Sequence, residues 1–462
     1  MAHLDDCNDL PRRLGLFDAI TTVVGACIGT GIFLKASAIS TLLPDPSLVM
    51  LLWVVAGALS LFGALVVAEL GGMYPHSGGL YLYLTEAFGP FVGFLFGWAM
   101  LSILQTGSLA GIAAGVMQAV SNLLEKSGFA PLSATDQMLG AMDLVMLLTL
   151  VNCISVRAGA SVQNLLTVLK SLGLLVLVAG IALGGKASAS NWTAGSPNAT
   201  HALAAAFGLA MIKALWVYDG WIDVSFVAGE VEHPQRNLPR ATLLGMGFVI
   251  LMYVVVNAGY HLLMPVDVVQ ASKTVAASAA GVLGGDKAIL AMSMVVVLSS
   301  LGGLNTSLLT GGRVYFAMAR EGMFFSKVGA IHPRYITPHI SLALQGIWSC
   351  GLLLLWSQFE RITDNVVFCY WIFYALGGLA MMKLRISQPH LERPYRCPGF
   401  PLVPALFVLL SAALIVNTII ASPGDSLQGL LLLASGAVLY PFFKQRYGGP
   451  DGTSAGTSAE AP

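Results

Sequence analysis

The first apolar segment of the chain reads Gly25-Ala-Cys-Ile-Gly-Thr-Gly31 at its centre. Three glycines within seven residues weaken a helix by about 1 kcal/mol each relative to alanine. One interpretation is close packing of neighbouring membrane helices on small residues. The cluster lies in the middle of its segment and ends in Gly29-Thr30-Gly31, which favours a break in the helix. In a membrane, such a break is tolerated only where the backbone is buried in protein or lines a cavity.

The composition of the chain indicates a membrane protein. Of 462 residues, 56% are hydrophobic and 10% are charged, whereas soluble domains have about 25% charged residues. This excludes a soluble enzyme and a disordered or fibrous protein. The 23 basic and 23 acidic residues leave no excess positive charge for nucleic acid. The six cysteines show neither a metal-ligand spacing nor a disulfide framework, so the sequence predicts no metal site and no cofactor.

Membrane spans are the natural unit of this chain, because a span needs about 20 mainly apolar residues. Twelve segments qualify, at roughly 18–41, 47–73, 80–120, 139–156, 162–184, 203–231, 241–263, 287–319, 338–357, 363–384, 402–421 and 427–443. An even number of spans puts both termini on one side. Fourteen of the 23 Lys and Arg residues fall in segments on that side and five on the other. The positive-inside rule then predicts a protein of the cell membrane with both termini in the cytoplasm.

The sixth segment carries Trp216-Val-Tyr-Asp-Gly-Trp-Ile-Asp223, which places two acids beside a glycine at mid-membrane. A structural pairing of these acids with a lysine or hydroxyl is one interpretation, but intramembrane acids usually mark substrate or ion paths. The two predicted breaks lie about 190 residues apart, each in the first span of a five-span unit. Breaks at matching positions in two halves point to a transporter site, and the opposite entry sides of spans one and six make the repeat inverted.

These features divide the chain into five parts. The predicted parts are a cytoplasmic segment (1–13), a first repeat (14–184), a second repeat (203–385), two extra helices (398–446) and a disordered tail (447–462).

Three motifs resemble the amino acid–polyamine–organocation superfamily, in particular the L-type amino acid transporter branch and its bacterial relatives. The motifs are Val24-Gly-Ala-Cys-Ile-Gly-Thr-Gly-Ile-Phe33, Pro75-His-Ser-Gly-Gly-Leu-Tyr-Leu-Tyr83 with Glu86-Ala-Phe-Gly-Pro90, and Gly229-Glu-Val-Glu-His-Pro-Gln-Arg-Asn-Leu-Pro-Arg240. The resemblance covers about residues 14–443. It implies an all-α polytopic, leucine-transporter-like fold of twelve helices, with a 5+5 inverted repeat, broken helices one and six, and two extra helices. It also implies a free α-amino acid as substrate.

The resemblance places this substrate between the two breaks. Helix starts suit a carboxylate and helix ends suit an ammonium. The carboxylate is expected at the backbone N–H groups of Gly29, Thr30 and Gly31, assisted by the Thr30 hydroxyl. The ammonium is expected at carbonyl groups of Ile28, Trp216, Val217 and Asp219.

Two of these residues keep alternative roles. Trp216 falls where related transporters have an aromatic lid over the substrate, although core packing also explains an aromatic residue at this spacing. Asp219 departs from the human-type members, which have a small residue here. Its side chain attracts the ammonium, binds a proton or caps the broken helix, and the sequence leaves these three roles open.

Lys170 lies about eight residues inside the fifth span, or about 12 Å from its end, too deep for easy snorkelling. In sodium-independent members that this chain resembles, a lysine here takes the place of a sodium ion. It would contact first-helix carbonyls near Gly25 and Ala26 and the hydroxyls of Ser299 or Ser300. A Lys170 that loses its proton when the inner gate opens would instead make the protein proton-coupled.

The remaining candidates have a structural interpretation beside the functional one. Candidates to face the substrate side chain are Gln105, Thr106, Asn305, Phe368 and Trp371. Candidates for an inner gate are Trp216, which would close over the substrate, and the charged residues Glu69, Glu230, Arg240 and Arg313. Interhelical hydrogen bonds, packing or structural salt bridges explain them equally well.

The sequence thus predicts a transporter rather than an enzyme. The leading hypothesis is alternating-access transport of neutral L-α-amino acids, Na⁺-independent, by exchange or uniport. A proton-coupled symporter is the nearest alternative, and a membrane amino acid sensor is a further one. Members that pair with a single-span glycoprotein carry a cysteine in the loop after helix three. The loop 125–137 contains none, so no disulfide-linked heavy chain is expected.

Overall fold

A computed structural model describes residues 10–193, 203–355 and 359–447 of the chain. The predicted disordered tail from residue 448 onward and residues 1–9 of the predicted cytoplasmic segment lie outside the described residues. The described helices, numbered in chain order, are α1 (Leu16–Cys27), α2 (Gly31–Leu42), α3 (Pro46–Met73), α4 (Leu80–Phe88), α5 (Pro90–Ala99), α6 (Gln105–Lys126), α7 (Ala134–Ile154), α8 (Val156–Leu183), α9 (Ala189–Thr193), α10 (Leu203–Tyr218), α11 (Asp223–Phe226), α12 (Pro234–Leu263), α13 (Val266–Ala271), α14 (Val275–Arg320), α15 (His339–Leu355), α16 (Phe359–Ser387), α17 (Leu402–Ala421) and α18 (Pro423–Tyr447).

The fold is all helical, as the sequence predicts. Among the described residues, ten helical stretches are long and apolar enough to cross a membrane, and two shorter helices, α10 and α15, are apolar as well. The ten stretches are Leu16–Leu42, Pro46–Met73, Pro90–Lys126, Ala134–Ile154, Gly159–Leu183, Pro234–Leu263, Val275–Arg320, Val367–Ser387, Leu402–Ile420 and Ser426–Arg446.

The third predicted span needs correction at its start. It was expected from residue 80, but α4 ends at Phe88 and α5 begins at Pro90. Gly89 lies between them with φ +93°, a backbone conformation that glycine adopts without steric cost. Pro90 then begins the new helix, where its missing N–H has no partner to lose. The span therefore runs from Pro90 to Lys126 and passes through a π-helical turn at Met100–Leu104.

Burial separates a central group of helices from a peripheral one. The stretch from α5 to α6 is largely buried, whereas fewer than one in three residues in the apolar parts of α7, α8, α17 and α18 is buried. Helix α1 packs against α8, α12 and α14, and α10 packs against α2 and α3. The two interrupted regions therefore lie inside the bundle, where backbone groups that leave a helix can find protein partners.

Candidate functional site

The first interrupted region is the backbone between α1 and α2. Helix α1 ends at Cys27, where Ile28 turns out of helical geometry with φ −79° and ψ +82°, and α2 begins at Gly31. The hydroxyl of Tyr253 on α12 lies 2.7 Å from the carbonyl oxygen of Cys27 and 3.0 Å from that of Val217. One buried hydroxyl thus serves the last turns of both α1 and α10. Carbonyl groups that lose their helical partners need such donors.

The second interrupted region is the backbone between α10 and α11. Helix α10 ends at Tyr218 and α11 begins at Asp223. Gly220 between them has φ +108°, and a Cβ atom built there would lie 2.6 Å from the Cβ of Ala26 and 2.8 Å from its carbonyl carbon. The two interrupted regions are therefore in backbone contact, and only a residue without a side chain fits between them.

A cavity of about 40 Å³ lies between the two interrupted regions. It is large enough for two or three water-sized groups. Eight of the sequence-predicted site residues line it, namely Ala26, Gly29, Thr30, Gly31, Gln105, Trp216, Val217 and Asp219. The structure thus brings the predicted carboxylate-binding and ammonium-binding residues to one place.

Polar groups are concentrated on the wall of this cavity. Two carboxylates face it, Asp219 and Asp223. Asp219 accepts a hydrogen bond of 2.6 Å from the hydroxyl of Tyr374, and Asp223, which is 5% exposed, accepts one of 2.9 Å from Thr310. The Thr30 hydroxyl is buried and has no hydrogen-bond partner in the described part of the chain. An unpartnered buried hydroxyl costs about 1–3 kcal/mol, which a ligand oxygen would offset.

Lys170 of α8 contacts the first interrupted region directly and is 0% exposed. Its ammonium donates hydrogen bonds to the carbonyl oxygen of Gly25 at 2.8 Å and to that of Ile28. The hydroxyl of Ser299 on α14 donates to the Ile28 carbonyl at 3.2 Å. A buried cation is therefore held by backbone carbonyls where α1 unwinds. Ala26 makes no such contact among the described residues, and Ser300 donates to Val296 instead, because its hydroxyl turns back onto its own helix.

Several predicted side chains lie away from the cavity. Asn305 is held by Asn152 at 2.9 Å and by the Gly159 carbonyl at 3.1 Å, so it joins α14 to α7 and α8. Trp371 packs against the rings of Tyr374 and Phe407. The other two are also engaged elsewhere, since the Thr106 hydroxyl donates to Leu101 within the π-helical turn and Phe368 packs at Gly429.

The predicted gate charges form two buried clusters. Arg313 pairs with Glu230 through two contacts of 2.7 and 3.2 Å, and both side chains are buried. Glu69 accepts hydrogen bonds from Arg385 at 2.8 and 2.5 Å. Arg240 is exposed and forms no ion pair within the described ranges, so of the two arginine candidates it is Arg313 that pairs with Glu230. The reason is position, since α14 brings Arg313 to Glu230 from inside the bundle.

The match to known proteins decides the family. Residues 14–443 match the sequence profile of the family described as amino acid permease. The chain belongs to the amino acid permease family. This confirms the resemblance noted in the sequence, and members of this family are transporters rather than enzymes.

Two relatives and one solved structure show how far the similarity extends. The permease is 31% identical to the b(0,+)-type amino acid transporter 1 of Mus musculus over 94% of this chain and 88% of the relative. It is 30% identical to the serine/threonine exchanger SteT of Bacillus subtilis over 96% of this chain and 99% of the relative. Its fold is similar to that of Mhp1, a nucleobase-cation-symport-1 family transporter, with a TM-score of 0.59, 14% identity and coverage of 97% and 98%.

Other residues lining the permease cavity were not assigned to it from the sequence. They are Cys27, Ser108, Ile112, Gly220, Asp223, Ser307 and Tyr370. A signal existed for α6, because Gln105, Ser108 and Ile112 follow the three- and four-residue spacing of one helix face. Gln105 donates to the Ser307 carbonyl at 2.7 Å and accepts from Tyr370 at 2.9 Å. These tertiary contacts carry no local sequence signal.

Substitution of Gly220 by alanine should strongly lower transport by this permease. The new Cβ would meet the Ala26 backbone within 3 Å and would hold alanine at positive φ, which costs about 1–3 kcal/mol. We expect at least a tenfold loss of amino acid uptake into proteoliposomes. Gly247→Ala is the matched control, because no atom lies within 4 Å of its Cβ position. Equal uptake by both variants would contradict a tight contact between the interrupted regions.

Proposed function

We propose that this permease carries neutral L-α-amino acids across the cell membrane by alternating access, without Na⁺, by exchange or uniport. The single observation that carries the proposal is the cavity enclosed by two interrupted helices. The start of α2 offers N–H groups that have no partner within the helix, and the ends of α1 and α10 offer carbonyl groups. A zwitterion matches both, because the helix dipoles favour a carboxylate at a start and an ammonium at an end.

The proposed assignment of groups follows from this arrangement. The carboxylate binds at Thr30 and Gly31, where the unpartnered Thr30 hydroxyl is available. The N–H group of Gly29, also expected there, donates to the Cys27 carbonyl at 2.9 Å. The ammonium binds near the carbonyls of Trp216 and Val217, close to Asp219. The Ile28 carbonyl, also expected to bind it, accepts from Lys170 and Ser299 instead. The ring of Trp216 lines the cavity and acts as the lid.

Na⁺ independence is supported by the contacts of Lys170. An ammonium bonded to the Gly25 and Ile28 carbonyls supplies the charge that a bound cation would otherwise bring to unwound backbone. The small cavity favours small side chains. The relative SteT, described as a serine/threonine exchanger, supports serine and threonine as the first substrates to test and exchange as the mode.

The proposed architecture is a leucine-transporter-like bundle of twelve helices. The ten long spans with α10 and α15 supply these helices, arranged as two inverted five-helix repeats (14–184 and 203–385) and two further helices (398–446), with both termini in the cytoplasm. No disulfide-linked heavy chain is included. The similarity to Mhp1 supports the arrangement at the level of the fold.

Proton-coupled symport is the second candidate, and a specific observation favours it. Asp219 and Asp223 both face the cavity, and each has one hydroxyl donor and no ion pair among the described residues. Uncompensated carboxylates inside a membrane protein are costly, and a proton on one of them removes the cost.

Uptake into proteoliposomes separates these functions. Labelled serine is offered in Na⁺-free buffer at equal pH, with unlabelled serine or no amino acid inside. We expect uptake to rise at least tenfold with internal serine, and stimulation by internal substrate supports exchange. Equal uptake in both cases supports uniport. Uptake only with an inward proton gradient supports symport, whereas binding without flux supports a sensor, and either of these results overturns the leading proposal.

A further inference from the structure

A second and larger cavity, of about 570 Å³, lies at one end of the bundle. Its wall is formed by the last turns of α6, by α13 and by the first part of α14. Ligand pockets for small molecules typically measure about 300–1,000 Å³. None of the residues that line the central cavity contributes to this one, so the two are separate.

Charges of both signs line this outer cavity. Glu125 and Lys126 come from α6, Asp267 comes from α13, and Lys273 precedes α14. Lys273 bridges to Glu125 at 3.2 Å. Lys126 and Asp267 have no ion-pair partner within the part of the chain that the structure describes. The exposed edge of one cavity thus offers an ammonium and a carboxylate outside any ion pair, and the four charges, all on exposed residues, sum to zero. This composition suits a small zwitterion better than an anion or a cation.

Two further features of the outer cavity are hydrogen-bond donors. The amide nitrogen of Asn122 is buried and has no hydrogen-bond partner in the described part of the chain. Helix α14 begins at Val275, and its N-cap residue Thr274, which lines the cavity, makes no side-chain capping bond. The first N–H groups of a helix have no partner within the helix. Both features match a ligand carboxylate, which would satisfy donors that otherwise stay unpaired.

Helix α14 is broken at Gly285, where φ is +67°, and the outer cavity shares with the central one α6 and the part of α14 after this break. Asn122 follows Ile112 of the central cavity by ten residues on α6, which is about 15 Å along the axis. Ser293 precedes Ser307 by fourteen residues on α14, or about 21 Å. A molecule bound in the outer cavity would therefore sit some 15–20 Å from the central site, at the end of the α6–α14 pair.

We propose that this outer cavity is a second binding site for a free α-amino acid. The carboxylate binds at Asn122, Lys126 and the start of α14, and the ammonium binds at Asp267. The inference rests on the proposed function for the identity of its ligand.

Binding stoichiometry tests this site. Equilibrium dialysis of labelled serine against the purified full-length chain is expected to show two molecules per chain. Asn122→Leu with Asp267→Asn should leave one. Ser108→Leu fills the central cavity and should also leave one, and the combination of all three changes should leave none. Asp286→Asn is the control, because this exposed acid on α14 lines neither cavity, and it should retain two.

The results distinguish this inference from the proposed function. One molecule per chain in the unaltered protein, unchanged by the outer substitutions and lost with Ser108→Leu, overturns the second site and keeps the transporter. Absence of serine binding in every variant, repeated with a mixture of labelled neutral amino acids, overturns both.

Discussion

Lys170→Met is expected to lower amino acid uptake about a hundredfold. Methionine keeps the length of the stem in a position that is 0% exposed but removes the donor to the Gly25 and Ile28 carbonyls. A hydrogen bond to a charged group contributes about 1.5–3 kcal/mol, and 1.4 kcal/mol is a tenfold change in an equilibrium. Without these two hydrogen bonds, the backbone between α1 and α2 is no longer held in one defined position. Uptake of labelled serine into Na⁺-free proteoliposomes measures the effect.

Ser299→Ala should have a smaller effect on uptake than Lys170→Met, because it removes a neutral donor from the same Ile28 carbonyl. A neutral hydrogen bond contributes about 0.5–1.5 kcal/mol, so a loss of roughly two- to tenfold is expected. A second arm tests the charge itself. Lys170→Ala leaves room for an ion, and Na⁺ should restore part of its uptake but none of that of Lys170→Met. Undiminished uptake by Lys170→Met, with no effect of Na⁺ on either variant, would rule out the proposed role.

The position of Lys170 shows what the sequence could predict about the site. Its depth in an apolar segment is a local feature, so its burial and need for partners follow from the cost of a lone ammonium in a membrane. The acceptors are not local, because they lie 142 and 145 residues away. The family resemblance supplied the region of contact, near Gly25 and Ala26. In the structure, Lys170 donates to the Ile28 carbonyl and not to that of Ala26, since Ile28 is where the backbone leaves the helix.

Glycines and apolar runs carried most of the fold prediction. An apolar run of about 20 residues has few alternatives to a membrane helix, and a mid-span glycine cluster has few alternatives to a break or a close packing contact. The error at the third span came from the same rule. Residues 80–120 are continuously apolar enough for one segment, and only Gly89 with Pro90 signals the separation of α4 from α5.

Side-chain partners were harder to predict than positions. The sequence leaves two interpretations of Asn305, contact with the substrate side chain or an interhelical hydrogen bond. The structure shows the second, because the amide meets Asn152 on α7 and Gly159 on α8, and this depends on how α7 and α8 approach α14. Glu230 was grouped with both Arg240 and Arg313, and burial separates them. Only Arg313 lies on a helix that reaches the Glu230 carboxylate.

Arg313→Met and Glu230→Gln are each expected to lower the free energy of unfolding by about 3–5 kcal/mol, the usual cost of removing one partner from a buried ion pair. Arg313 is 0% exposed and Glu230 is 2% exposed, so the remaining group has no access to water. The double variant removes both charges and should regain most of the loss. Thermal unfolding of the purified permease in detergent measures the cycle.

The labelling of Cys27 decides whether this pair is also a gate. Cys27 is buried and lines the central cavity. The backbone carbonyl group of Glu230 accepts hydrogen bonds of 2.8 and 2.9 Å from the N–H groups of Arg13 and Leu14. The Glu230 residue therefore ties the segment before α1 to α14. If the pair keeps this end of the bundle closed, modification of Cys27 by a small maleimide, located by mass spectrometry, should rise at least tenfold in either single variant.

The double variant then separates gating from stability. A gate needs the attraction between the two charges, so its loss leaves Cys27 reactive even where the free energy of unfolding recovers. A merely structural pair predicts that stability and protection of Cys27 recover together. Glu69→Gln is the matched control, because it removes a buried carboxylate that pairs with the partly buried Arg385 and ties α3 to α16, and it should leave Cys27 protected. Cys397 lies beside Glu69, to which its backbone N–H donates, and its thiol could also be labelled. Burial raises the pKa of the Cys397 thiol to about 11, which keeps this thiol protonated and slow to react at neutral pH.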